Sequence, residues 1–120
     1  MMALLAVALG GALGASMRYG VNQLTTQVLS LPLFWATLLV NVVGCFLMGK
    51  AFAFFSNHAA ISEPLRLFVS VGFLGALTTW STFSMETVLM IQNDEIIKAI
   101  SYTVITTFFC FLAFWLGVRT

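Results

Sequence analysis

The chain has 120 residues, 61% hydrophobic and 8% charged, with a formal net charge of +1, whereas an ordinary soluble domain carries about 25% charged residues. So little charge excludes a nucleic-acid binder, which needs a basic face, and defines an integral membrane protein. Apolar stretches of spanning length, about 20 residues each, fill the chain so fully that no room remains for a second, soluble domain. Residues 1–120 are expected to form a single transmembrane domain, an all-α bundle of four helices.

In chain order, the run from Met1 to Ala15 has the length of a signal-peptide core, but no Lys or Arg precedes it and its apolar character continues past Met17, so it is read as the first span, about 2–24. Gly10, Gly11 and Gly14 give it a small-residue face with a Gly-x-x-x-Gly spacing suited to close helix contact. A polar turn region from Thr25 to Pro32 leads to the second span, about 34–55, with Asn41 near its middle and Lys50 toward its end. Ser62, followed by Glu63 and Pro64, is a chemically consistent start for the third span, about 65–91. The connection from Gln92 to Glu95, with Asn93 as the expected N-cap, starts the fourth span, about 96–118. Cys45 and Cys110 both lie in apolar segments, where they behave as small hydrophobes.

The third span turns polar in its middle. From Gly72 to Ser84 it holds two glycines and the hydroxyls of Thr78, Thr79, Ser81, Thr82 and Ser84. Glycine weakens a helix by about 1 kcal/mol relative to Ala, and the hydroxyls can re-satisfy backbone groups that a break sets free. The segment reads either as a kinked packing helix or as a discontinuous one that offers half-helix ends and unwound carbonyls to ions.

Four spans put both termini on one side. Lys and Arg then divide two against three: Arg18 and Lys98 on one side; Lys50, Arg66 and Arg119 on the other. So weak a bias permits insertion in either direction, and two oppositely inserted copies can form an antiparallel homodimer. The opposing possibility is that one charge near a span end decides the orientation.

Trp80 and Phe83 share a helical face, interleaved with Ser81, Thr82 and Ser84. Ring edges are positive, so aromatic edges can attract a small anion without a buried cation, although simple packing also accounts for such a pair. Asn41 must find a partner helix or line water. In the fourth span Tyr102, Thr106 and Cys110 recur every four residues and form one stripe, beside Thr103 and Thr107. Arg18, Lys50 and Glu86 are read as interfacial anchors, and His58 as a solvated loop residue. No nucleophile and base pair, metal-ligand cluster, phosphate-binding loop or cofactor motif is present, so the reading is a non-enzyme.

These residues carry a resemblance. Gly75 and Thr78 followed by Trp80-Ser81-Thr82-Phe83-Ser84, with Asn41 in Leu39–Gly44 and Gly10–Arg18 upstream, resemble the Fluc/CrcB family of fluoride ion channels over essentially the whole chain. The resemblance implies an antiparallel, dual-topology homodimer in the cell (inner or plasma) membrane, surrounded by lipid, that exports fluoride passively and lowers its cytoplasmic concentration. It further implies a structural sodium at the dimer centre, held by the Gly75 and Thr78 carbonyls and not transported. The implied fluoride path is lined by Asn41, Trp80, Ser81, Thr82, Phe83, Tyr102, Thr106 and Cys110, with Arg18 at the vestibule. The chain departs from the family's usual paired phenylalanines by placing Trp80 first, and from the Ser often seen at the position of Cys110. The alternative reading is a small dual-topology, proton-coupled multidrug transporter, but that chemistry needs a membrane-embedded carboxylate and the first span has no acid.

Overall fold

The computed structural model describes all residues 1–120 and is entirely helical. Helix α1 (Met2–Gln23) runs into a π turn at Leu24–Val28, α2 is Leu33–Asn57, and α3 (Glu63–Leu67) opens the third span. That span continues through π-helical Phe68–Leu74 and a helical turn at Gly75–Leu77, passes two extended residues, Thr78 and Thr79, and resumes as α4 (Trp80–Gln92). The last helix, α5, is Ile96–Arg119. Four segments are long and apolar enough to cross a membrane: Met2–Val28, Leu33–Asn57, Glu63–Gln92 and Ile96–Arg119. At 1.5 Å per residue the 25 residues of α2 reach about 37 Å, more than the roughly 30 Å of a hydrocarbon core.

Burial agrees with that solvent. Only 20 of 120 residues are buried, while Leu4, Leu9, Phe52, Ile97 and Phe111 point outward. An apolar surface this continuous is stable against lipid and not against water. The protein is a multi-pass helical membrane protein.

The helices associate as two parallel pairs. Gly10 faces Phe68 and Gly72, and Gly14 faces Phe73 and Leu77, so α1 and the first half of the third span run the same way with their backbones in contact. Gly49 meets the Phe114 carbonyl and Gly117 meets the Phe46 carbonyl, which sets α2 and α5 side by side; with Thr37 beside Tyr102 and Asn41 sharing a cavity with Thr106, the pair is also parallel. Between apolar helices in lipid no hydrophobic force operates, so close backbone approach at small residues supplies much of the attraction. The two pairs meet where Val40 packs on Leu74 and Leu77, and where Gly44 lies against the Thr78 methyl.

Two boundary expectations are corrected. The first span extends to Val28 because Thr26 donates to the Asn22 carbonyl at 2.8 Å and the π register carries Leu29 N–H to Leu24 O, so polar side chains that read as a turn satisfy themselves within a helix. Asn93 closes α4 instead of capping α5, whose N-cap is Glu95; Asp94, at φ 60°, makes the turn between them. His58 is exposed just past α2, as expected, with its ring stacked on Phe54 and its Nδ1 2.8 Å from the Phe54 carbonyl.

Candidate functional site

The site is built around the extended residues of the third span. Asn41, on the buried face of α2, treats Thr79 as a strand would: its Oδ1 accepts the Thr79 N–H at 2.8 Å and its Nδ2 donates to the Thr79 carbonyl at 3.1 Å. The N–H that a continuous helix would direct to Gly75 is therefore turned sideways. Thr79 then caps α4, its Oγ1 accepting the Thr82 N–H at 3.1 Å and donating to the Thr82 hydroxyl. On the other side, Thr78 directs both its N–H and its hydroxyl to the Leu74 carbonyl.

The carbonyls of this stretch divide into two sets. Ala76 O accepts from Arg18 Nε at 2.9 Å and Thr79 O from Asn41. No N–H or side chain donates to the carbonyl of Thr78. An unpaired carbonyl at bilayer depth costs several kcal/mol unless another group meets it.

Beside the extended residues lies a cavity of about 300 Å³ between α2, α4 and α5. Asn41, Thr78, Thr79, Trp80, Phe83, Thr106 and Cys110 line it, joined by Cys45, Thr107 and Phe111. Phe83 is 4% exposed and its ring lies 5.1 Å from that of Tyr102 and 5.2 Å from that of Trp80. Trp80 itself is 75% exposed on the single chain. Ser81 is exposed and Thr82 half-buried at the start of α4. Tyr102 and Thr106 are both buried, and the Thr106 hydroxyl has no partner. Of the residues singled out in the sequence, Asn41, Trp80, Phe83, Thr106 and Cys110 thus share one cavity with Thr78. Ser81, Thr82 and Tyr102 adjoin it, Arg18 lies behind it on α1, and Gly75 faces outward.

Reading the sequence alone missed Glu86. It is not an interfacial anchor but 7% exposed, accepting the Tyr102 hydroxyl at 3.1 Å on Oε1 while its Oε2 is buried without a partner. Thr37 sits beside both groups and is the most deeply buried polar residue. Cys45 was also missed as a lining residue. The available signal was a ladder: Thr37, Asn41 and Cys45 repeat every four residues on α2, as Tyr102, Thr106 and Cys110 do on α5.

A small polytopic protein whose polar groups converge at mid-span, in a cavity without a Lys or Arg, has the arrangement of a protein that moves small solutes through membranes. The family is specific: the chain belongs to the CrcB family, residues 5–118 matching the one described as CrcB-like protein, Camphor Resistance (CrcB). A protein of Shewanella halifaxensis (strain HAW-EB4) named fluoride-specific ion channel FluC is 42% identical over 111 residues, covering 92% of this chain and 89% of its own. One of the same name from Vibrio vulnificus (strain YJ016) is 43% identical over 113 residues, covering 94% of this chain and 90% of its own. Another, from Aeromonas salmonicida (strain A449), is 39% identical over 113 residues, covering 94% and 90%. The resemblance read from Gly75, Thr78 and Trp80–Ser84 holds.

Proposed function

We propose that the protein is a fluoride-specific channel of the cell membrane that lets fluoride leave passively and so lowers its cytoplasmic concentration; it is not an enzyme. The observation that carries this reading is the cavity beside Thr78 and Thr79. It offers an amide, hydroxyls including the unpartnered one of Thr106, and the edges of Phe83 and Trp80, with no cation to trap an anion that must leave again. Asn41, Ser81, Thr82, Tyr102 and Cys110 complete the proposed path, and Arg18 anchors its vestibule. The names of relatives about 40% identical over nearly the whole chain support the choice of ion.

The working unit in this reading is an antiparallel dual-topology homodimer with a discontinuous third helix, set in lipid. Gly75 supports it. Its φ of −63° and ψ of −34° suit any residue, and an added Cβ would meet only Ser70 O at 3.5 Å, so nothing within one protomer requires glycine there. With no side chain on this outward face, Gly75 leaves room there for close approach by a second copy. Sodium fits the donors: the Gly75 and Thr78 carbonyls are hard oxygens, that of Thr78 without a partner in the chain, and a two-fold axis doubles them to four. Bound there, the ion would supply fixed positive charge between the protomers and no other chemistry.

The test is efflux from liposomes that hold the purified protein and fluoride, with chloride and a cationic dye in parallel. Fluoride is expected to leave while chloride and dye are retained; retained fluoride, or dye exchanged for protons, overturns the reading. Replacing all sodium by a much larger monovalent cation is expected to lower both flux and dimer stability, and no change in either removes the sodium.

A further inference from the structure

We propose that Cys45 and Cys110 form a two-coordinate site for a soft, thiophilic metal ion of the Hg²⁺, Ag⁺ or Cu⁺ kind, in the wall of the central cavity. Because α2 and α5 run parallel, their four-residue repeats stay in step. Thr37 sits by Tyr102, Asn41 and Thr106 line one cavity, Cys45 and Cys110 line it together on the next turn, and Gly49 touches Phe114 on the turn after. Both thiols are free, half-buried and part of the cavity lining, so an ion in the cavity reaches them together. The glycine contact one turn away holds the two helices in register there.

The donor set selects the ion. Thiolates prefer soft cations, whereas the neighbouring amide and hydroxyl oxygens of Asn41, Thr106 and Thr107 suit hard ones. No third His, Cys, Asp or Glu stands nearby, so a tetrahedral zinc site is not available, while a linear d¹⁰ ion needs only two sulfurs. Binding is a ligand exchange: each thiol gives its proton to water, two sulfur–metal bonds form, two waters leave the metal, and no atom changes oxidation state. An ion bridging α2 and α5 would also narrow the cavity beside Asn41 and Thr106 and obstruct passage through it. That second consequence rests on the channel reading; the binding does not.

Mercuric ion is the probe, added to full-length protein in detergent after reduction and desalting. Native mass spectrometry is expected to find a single mercury per chain, both thiols lost to maleimide, and the metal retained against an excess of a monothiol such as cysteine. Cys45→Ala and Cys110→Ser, checked for folding by circular dichroism and elution volume, are expected to surrender their mercury to the same monothiol. Two mercury ions per wild-type chain, or wild-type protein stripped as readily as Cys110→Ser, overturns the site. In liposomes, mercury is expected to remove most of the wild-type fluoride flux and little of that of a variant carrying both Cys45→Ala and Cys110→Ser, each relative to its own mercury-free rate. Bridged mercury with undiminished flux overturns the block, and a wild-type protein that carries no fluoride before mercury overturns the channel reading, while mass spectrometry still decides the site.

Discussion

The two ends of the α2–α5 seam obey the same four-residue repeat and do opposite things with it. At one end, Gly49 and Gly117 remove side chains so that each helix rests on the other's carbonyls at Phe114 and Phe46. At the other, Thr37, Asn41, Tyr102 and Thr106 hold hydroxyls and an amide in the same interface, and the buried Thr106 hydroxyl has no partner. At the glycines the two backbones are in contact; the polar end turns its groups toward the third span and a cavity. A single helix pair can therefore separate the work of holding together from the work of binding, provided the glycine end fixes the register of the polar one.

Substitutions along the seam test that division, ranked here by their effect on folding. Gly49→Val is expected to do most. Its methyls would run into the Phe114 backbone, which cannot step aside, and overpacking costs about 1–3 kcal/mol even where side chains can yield. The yield of monodisperse protein on size exclusion should fall sharply, and a normal yield would mean that the glycine contact is not needed. Asn41→Leu comes next: it leaves the Thr79 N–H and carbonyl unpaired, a loss of about 1–3 kcal/mol by thermal unfolding, and most fluoride flux should go with it.

Phe83→Ile reverses the balance between folding and flux. The volume stays similar, so stability is expected to change by less than about 1.5 kcal/mol, yet the positive ring edge disappears and efflux should largely stop. Undiminished efflux from correctly folded protein would remove Phe83 from the path. The smallest effect is expected from Gly20→Ala, where an added Cβ meets nothing within 4 Å. The helix gains up to about 1 kcal/mol of propensity, so a loss of yield there would show that glycine content alone, and not the seam, matters.

Much of this was readable in the sequence because the bilayer simplifies the problem. Hydrophobic length located the spans, and the Gly10/Gly14 spacing marked a face that does meet the third span. The polar cluster at 78–84 is contiguous and could be recognised as a unit. What escaped depends on partners distant in the chain. Gly49 and Gly117 belong to no Gly-x-x-x-Gly spacing in their own helices, and each is explained only by a carbonyl on the other. Glu86 lies toward a span end, where a carboxylate ordinarily reaches for water; only the fold brings Tyr102 to it. Thr79 was one hydroxyl among several until Asn41 was found holding its peptide group. The π turn at Leu24–Val28 was hidden because Thr and Gln are as common in turns as in the last turn of a membrane helix.

The interruption at Thr78 and Thr79 also has an electrical side. Each run of helix carries a macrodipole, equivalent to roughly half a positive charge at its start and half a negative charge at its end. Arg18 stands at the negative end that closes at Leu77, while the positive start of α4, with no acidic residue in its first turn, opens at Trp80 beside the cavity. The field at that point is therefore generated largely by peptide groups, which every side-chain substitution leaves in place. Alanine scanning would be blind to it. Replacing single amides of the first turn of α4 by esters, which deletes the N–H and keeps the side chain, would expose how much of the attraction for an anion the main chain itself provides.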